Sequence, residues 1–218
     1  MASETEKQIV SVSEKRLEGF LRVPAAATGL VVFVHGAGSS HLSTRNNHVA
    51  EELAKRGFAT LLFDLLTETE ANDRANVFDI KLLSRRTLDA IGWIRGRADI
   101  SALPLGLFGS STGAAAALVA AAEQPEEVSA VVSRGGRPDL ADAELSRVKA
   151  PVLLIVGGAD HQVLELNRAA AAHLSCPKSL KIVPAATHLF EEPGALDQVV
   201  ELTGDWFETH LSNAEAGK

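Results

Sequence analysis

The sequence predicts an α/β fold with a mostly parallel central sheet and helices on both faces. Apolar runs of strand length alternate with amphipathic segments along the 218 residues, and this alternation is typical of parallel strands joined through helices. The runs at 29–35, 128–132 and 151–156 are continuous and rich in β-branched residues, as in strands that are buried on both faces. Because no shift in composition marks a boundary, residues 1–218 are predicted to form one domain, with 212–218 as a frayed tail.

The first half of the chain opens with two predicted strands, at 8–13 and 17–23, and the polar turn between them indicates a hairpin. A buried strand at 29–35 follows. An amphipathic helix at 47–56 comes next, and Gly57 is predicted to end it as a C-cap. The next predicted elements are a strand at 58–63, a polar segment at 67–76 and a long helix at 78–95 whose apolar residues recur at helical spacing.

The second half of the chain continues the alternation. The apolar run 103–108 has strand length without helical periodicity, and the alanine-rich run 114–122 has high helix propensity, so a helix is predicted from Ser111. In a sheet of this kind ligands bind beyond the carboxyl ends of the strands, so functional residues are expected in the loops that follow strands. The remaining predicted elements are strands at 128–132, 151–156 and 180–183 and helices at 163–174 and 195–211.

The composition excludes several classes of function. The formal net charge of −7 argues against nucleic acid or an anionic membrane as a partner. A single cysteine, Cys176, excludes an intramolecular disulfide and fits a reducing compartment. The amino-terminal residues are polar, and no apolar run approaches membrane-spanning length. We therefore expect a cytoplasmic protein, and a homodimer is left open.

The segment Gly109-Ser110-Ser111-Thr112-Gly113 lies between a predicted strand and a predicted helix and fits the pattern G-x-S-x-G. In that context the central serine stands at the apex of a sharp turn with its hydroxyl exposed. Ser111 has a glycine two positions away on each side, whereas Ser110 lacks this pair. We therefore predict Ser111 as a nucleophile, and the alternative is a glycine-rich turn without chemistry.

A serine hydroxyl needs a base to take its proton and a third group to orient that base. His188 follows the predicted strand at 180–183, and Asp160 follows the one at 151–156. Both residues therefore fall where the sheet would bind a ligand. The chain order serine, aspartate, histidine is the order found in hydrolases whose serine stands on a G-x-S-x-G turn between a strand and a helix, called the nucleophile elbow. Alternatively, Asp160 caps the helix that follows it, and Asp139 is the second candidate for the acid.

An oxyanion hole requires backbone N–H groups directed at the oxygen that becomes negative. One is predicted from Thr112, the residue after the nucleophile. The other is predicted from Ala37, in the glycine-rich loop 36–38 that follows a strand. His35, at the start of this loop, is predicted to brace it through hydrogen bonds.

Arg45 and Arg134 are candidate substrate-binding residues because each is predicted near a strand end or a helix start. An arginine at such a position could hold a substrate carboxylate through two hydrogen bonds. The alternative for each is a solvated or ion-paired side chain. The remaining histidines show no metal-ligand spacing, so no metal site is predicted.

Residues 109–113, 35–38, Asp160 and His188 together resemble the α/β-hydrolase fold over nearly the whole chain, and the run 187–194 resembles the dienelactone hydrolase-like family. The family's dienelactone hydrolases carry cysteine in the elbow, where this chain has Ser111. The resemblance implies a Ser–His–Asp hydrolase of carboxylic esters that uses no metal or organic cofactor. It also implies an open site without a cap domain, suited to small soluble esters, because only 133–150 lies where lids enter this fold. The alternatives left open are a thioesterase or lactonase with the same triad, and a non-catalytic binding module.

Overall fold

Eight strands form one sheet in the order β1-β2-β4-β3-β5-β6-β7-β8 in the computed structural model, which describes residues 5–211. The first two strands form an antiparallel hairpin, β2 pairs antiparallel with β4, and all later pairs are parallel. The predicted hairpin and mostly parallel sheet are therefore confirmed. The strands are β1 (Lys7–Val12), β2 (Leu17–Arg22), β3 (Gly29–Val34), β4 (Phe58–Phe63), β5 (Leu105–Ser110), β6 (Val128–Arg134), β7 (Val152–Gly157) and β8 (Lys178–Val183).

The helices cover both faces of the sheet, as predicted. Apolar side chains of α1 and α7 pack on one face, and those of α4, α5 and α6 pack on the other. Strands β3 to β7 are buried almost throughout, which explains their continuous apolar sequences. The helices are α1 (Thr44–Lys55), α2 (Glu68–Ala71), α3 (Arg74–Val77), α4 (Ile80–Arg95), α5 (Thr112–Glu123), α6 (His161–His173) and α7 (Ala195–Leu211).

The predicted polar segment 67–76 contains α2 and α3, which the sequence analysis missed. Each is a helix of four residues, too short to show an apolar period. Local capping explains them: Thr67 and Glu70 form a reciprocal capping box, and Asp73 accepts a hydrogen bond from the Ala75 N–H. A cap also explains why α1 begins earlier than predicted, since the Ser43 hydroxyl accepts from the Asn46 N–H.

The segment between β6 and β7 does not form a cap domain. It contains 3₁₀-helical turns over Pro138–Arg147, interrupted at Asp142 with φ 47°, and these pack on α5 and α6. Ala141 and Leu145 are buried in the same core as α5, so the segment belongs to the body of the domain. Across the described residues, no helix combines the length and apolar composition that a membrane span needs. The predicted tail at 212–218 lies outside the described residues.

Candidate active site

The turn between β5 and α5 places Ser111 at its apex with φ 51° and ψ −126°. This conformation is rare for a residue with a side chain and costs on the order of 1–3 kcal/mol. A β-carbon at Gly109 would overlap Ala114, and one at Gly113 would overlap the Val34 carbonyl oxygen. The turn therefore requires glycine at both positions, and the local geometry predicted from the sequence is present.

The helix after the turn holds Ser111 rigidly. Every residue of α5 from Thr112 to Ala122 is buried, and its alanines let the helix lie close to the sheet. The Arg137 N–H donates to the Ser111 carbonyl oxygen at 3.0 Å, which ties the turn to the loop after β6. The amino-terminal end of α5 points at Ser111, so its positive dipole end favours negative charge there.

Asp160 and His188 form a hydrogen-bonded pair beyond the ends of β7 and β8. Asp160 Oδ2 lies 2.7 Å from His188 Nδ1. Asp160 stands at the N-cap position of α6, but its side chain makes no capping hydrogen bond; the carboxylate is directed at the imidazole instead. A carboxylate on Nδ1 selects the tautomer whose Nε2 is free to accept a proton.

Backbone hydrogen bonds join the loops that carry this pair. The Gly158 N–H donates to the Val183 carbonyl at 2.8 Å, and the Ala159 N–H donates to the Ala186 carbonyl at 2.9 Å. The Asp160 side chain is 16% exposed and that of His188 is 40% exposed. The carboxylate is thus shielded from water while the imidazole reaches the surface of the cleft.

Asp139 and Asp64, two other aspartates near the carboxyl ends of strands, are engaged elsewhere. Asp139, the second candidate, binds Arg137 through two hydrogen bonds of 2.7 and 2.8 Å. Asp64, the residue after β4, accepts from the His41 N–H at 2.7 Å. Within the described chain, neither of them is hydrogen-bonded to His188.

Ser111 and His188 line one cleft of about 470 Å³, together with the loop 36–40 and the two candidate arginines. No hydrogen bond joins the Ser111 hydroxyl to His188 in the part of the chain that the structure describes. Such bonds are often long without substrate and tighten in the complex. The structure therefore brings Ser111 and His188 to one cleft, with Asp160 behind His188, and their catalytic roles stay predictions.

The loop after β3 contacts the turn directly. A β-carbon at Gly36 would lie 2.7 Å from Ser111 Cβ, so the loop approaches Ser111 as closely as glycine allows. His35 braces the loop as expected: its Nδ1 lies 3.0 Å from the Gly36 carbonyl oxygen, and its Nε2 accepts from the Leu65 N–H at 3.1 Å. Burial lowers the pKa of His35, which keeps the ring in the neutral form that both bonds need.

The predicted oxyanion donors differ in their surroundings. The Ala37 N–H donates to Thr112 Oγ1 at 3.0 Å, an interaction the sequence analysis did not predict. The Thr112 N–H belongs to the first residue of α5 and has no hydrogen-bond partner among residues 5–211. One predicted donor is therefore open and the other is bonded to a side chain. The oxyanion hole stays a prediction.

Arg134 is buried at the end of β6, with 6% of its surface exposed. Its Nη2 donates to Asn46 Oδ1 at 3.0 Å, its Nε has no partner, and its guanidinium lies 5.8 Å from the Phe190 ring centroid. Burial and the nearby charge of Arg45 lower the pKa of Arg134 to about 10. No carboxylate of residues 5–211 forms an ion pair with it. This is a buried cation without an anion beside the candidate nucleophile.

Arg45 is a different kind of residue. It lines the same cleft, but its guanidinium is half-buried and pairs with Glu191 at 2.9 Å. The sequence analysis missed both Asn46, which lies on the buried side of α1 and holds Arg134, and Phe190, which packs against it. The helix predicted from the sequence began at position 47, so Asn46 lay outside it and had no signal of its own.

A second, smaller cavity of about 280 Å³ lies on the other side of the loop 36–40. Its walls are mostly apolar, and Val77 of α3 and Leu83 of α4 contribute to them. In residues 5–211 no three His, Cys, Asp or Glu side chains are grouped as a metal site would require. The expectation that no metal or cofactor is needed stays a prediction.

Comparison with solved structures and curated proteins gives several relatives. A dienelactone hydrolase of Anabaena variabilis shares 51% sequence identity, with a TM-score of 0.91 over 95% of this chain and 99% of that one. Est1E of Butyrivibrio proteoclasticus, at 16% identity and a TM-score of 0.75 over 93% of this chain and 98% of that one, shares the fold. A protein of Mycobacterium tuberculosis strain H37Rv, provisionally named a phosphoribosyl transferase, is 59% identical over 193 residues. These are 88% of this chain but 44% of the relative, so the chain spans less than half the length of that curated relative.

A match to a family model shows which family this chain belongs to. The model of the dienelactone hydrolase family matches residues 17–209, which include every strand from β2 onward and all the residues of the cleft. Together with the Anabaena structure, this match covers the sheet, the turn and the loops that carry Asp160 and His188. The chain thus belongs to the dienelactone hydrolase family and has the α/β-hydrolase fold.

Proposed function

We propose that this protein hydrolyses carboxylic esters of small substrates, with Ser111 as nucleophile, His188 as base and Asp160 as the group that orients the base. The observation that carries the proposal is the 2.7 Å contact between Asp160 Oδ2 and His188 Nδ1 in a cleft that also contains Ser111 on a strained turn. Strain at such a residue is typical of a site where the backbone exposes a reactive side chain.

In this mechanism the Ser111 hydroxyl attacks the acyl carbon while His188 Nε2 takes its proton. The bond from the acyl carbon to the leaving oxygen then breaks, and the imidazolium returns the proton to that oxygen. Water attacks the resulting acyl-enzyme, with Nε2 again accepting a proton. The ester bond to Ser111 breaks, its oxygen regains the proton, and the carboxylic acid leaves. Asp160 stabilises the imidazolium in both steps.

Thioesters and lactones react through the same steps, so a thioesterase or lactonase is the second candidate on the same cleft. A non-catalytic binding module is the alternative from another class. The name of the mycobacterial relative applies to a longer protein, and the region matched by this chain makes up only 44% of it. We therefore propose no transferase activity for this chain. A small-molecule partner is proposed because the net charge of −7 argues against nucleic acid and anionic membranes, and a cytoplasmic location is proposed because the single cysteine, Cys176, fits a reducing compartment.

Covalent labelling tests the proposal. A fluorophosphonate phosphonylates an activated serine, forming an O–P bond while fluoride leaves, so we expect one adduct per chain, mapped by mass spectrometry to Ser111. Heat-denatured protein is the control and should remain unmodified. A folded protein that takes up no label at Ser111 would favour the binding module.

We further propose that Arg134 binds a carboxylate on the substrate, with Arg45 beside it. Arg134 is buried in the cleft without an anionic partner in the described chain, and its Nε lacks any hydrogen bond. A buried charge is costly unless it is paired, so a substrate anion would supply the missing partner. Arg45 already has Glu191, which makes Arg134 the stronger anchor.

Replacing Arg134 by methionine tests this subsite. Since a hydrogen bond to a charged group contributes about 1.5–3 kcal/mol, kcat/KM for an ester with a free carboxylate should fall by a factor of about 10–150. The matched substrate with that carboxylate capped as an amide should lose less than about threefold, because it never gained the contact. Arg137→Met, which removes the partner of Asp139, is the control variant. Equal losses on both substrates would contradict a carboxylate site.

A further inference from the structure

The Thr112 side chain forms a bridge between the nucleophile turn and the loop after β3. Its Oγ1 accepts the Ala37 N–H at 3.0 Å across a separation of 75 residues. Thr112 is 5% exposed. A hydroxyl group has one O–H to donate and two lone pairs that can accept. The Thr112 hydroxyl uses one lone pair to accept the Ala37 N–H. Its O–H has no acceptor in the chain from residue 5 to residue 211.

This arrangement changes which groups are free to stabilise an oxyanion. The Ala37 N–H is already engaged, so donation to a substrate oxygen would require it to leave Thr112 Oγ1. The loop has little freedom to move, because His35 holds Gly36 and Gly36 lies against Ser111. Beside the nucleophile, the Thr112 N–H and the Thr112 O–H both lack a hydrogen-bond partner among residues 5–211 and could donate to a substrate oxygen.

We infer that the Thr112 hydroxyl is itself a donor to the oxyanion, alongside the Thr112 N–H, and that the Ala37 N–H holds the hydroxyl in place. A hydroxyl that accepts one hydrogen bond becomes a stronger donor in the next, since hydrogen bonds in a chain polarise one another. A buried polar hydrogen without an acceptor is unfavourable in the free protein. The oxygen that becomes negative during acyl transfer provides that acceptor, so the contact strengthens as the reaction proceeds.

The inference rests on the proposed ester hydrolysis and adds a side-chain donor to it. A purely structural bridge would have a different consequence. If Thr112 only tethered the loop, loss of its hydroxyl would loosen the fold or raise KM, and the Ala37 N–H would become available to the oxyanion. A donor to the oxyanion acts on kcat, because the charge exists only in the transition state and the intermediate.

Substitution of Thr112 by valine and by serine tests the inference. Thr112→Val keeps the branched shape and removes the hydroxyl, and we expect kcat for a small ester to fall about 10²–10³-fold with KM nearly unchanged, as for loss of one oxyanion donor. Thr112→Ser keeps the hydroxyl and should retain activity within about fivefold. If the valine variant fails to fold, the serine variant is compared with Thr112→Ala by the same assay.

The affinity for a trifluoromethyl ketone, which forms a tetrahedral oxyanion with an active serine, distinguishes the two roles. It would not change if Thr112 only held the loop in place. The ketone's affinity should weaken in Thr112→Val by the same factor as kcat/KM, while the affinity of the alcohol product stays constant. Unchanged or faster hydrolysis by Thr112→Val would overturn the inference and assign the role to the Ala37 N–H. A wild-type protein that neither hydrolyses esters nor takes up fluorophosphonate would instead overturn the proposed function, so the two failures are distinguishable.

Discussion

Replacing Ser111 by alanine should lower kcat for a p-nitrophenyl ester by a factor of at least about 10⁴, because removal of a serine nucleophile leaves only binding and the oxyanion donors. The variant loses the atom that forms the acyl-enzyme, while the base and its acid remain. A steady-state assay with enzyme at micromolar concentration measures the residual rate. Circular dichroism checks that the turn still folds, since alanine must adopt the same φ of 51°.

Ser110→Ala is the matched control for this experiment. Ser110 is adjacent in sequence and lines the same cleft, but it ends β5 without the glycine on each side that the turn requires. We expect its activity to stay within about threefold of wild type, as for a substitution outside the reacting groups. Loss of activity in Ser110→Ala with full activity in Ser111→Ala would overturn the assignment of the nucleophile.

Replacing Asp160 by asparagine should lower kcat by a factor of about 10⁴, as expected when the imidazole is held in the wrong tautomer. The amide is nearly isosteric with the carboxylate, so the position of His188 is preserved. Its NH₂ group would donate to Nδ1, which places the imidazole proton on Nε2 and removes the base. Steady-state kinetics at pH 8 measure the effect, and a crystal structure of the variant checks the geometry.

Asp139→Asn distinguishes between the two candidate acids. Asp139 pairs with Arg137, so its substitution should weaken an ion pair and leave kcat within about threefold of wild type. If Asp139→Asn were the inactive variant and Asp160→Asn the active one, the base would be oriented by the loop after β6. The contact between Asp160 and His188 would then have only a structural role.

The sequence predicted those parts of the site that depend on local geometry. The turn at Ser111 was predictable because two glycines, a strand and an alanine-rich helix stand within a few residues of one another. Asp160 and His188 were predictable because parallel strands end at one edge of the sheet, so a residue after β7 and one after β8 must lie near each other. The backbone bonds between their loops then fix the contact.

The sequence could not predict contacts that depend on the direction of single side chains. The bridge from Thr112 to Ala37 joins residues 75 positions apart, and no periodicity marks it. The bond between Arg134 and Asn46 spans 88 positions and requires a polar residue on the buried side of α1. The helices α2 and α3 were not predicted for a different reason. Each has four residues and is held by capping bonds from only a few polar residues, so it shows no apolar periodicity in the sequence.

The burial of α5 from Thr112 to Ala122 has a consequence for how this protein can change during evolution. Its alanines from 114 to 117 are in contact with the sheet on one side and with neighbouring helices on the other, and a larger side chain there would force the backbone of the turn to shift. Variation at positions 114 to 117 is therefore confined to small residues. We expect new substrate preferences to arise instead at positions such as Ser39, Ser40, Leu42 and Leu189, which line the cleft and lie outside the close contact between Gly36 and Ser111.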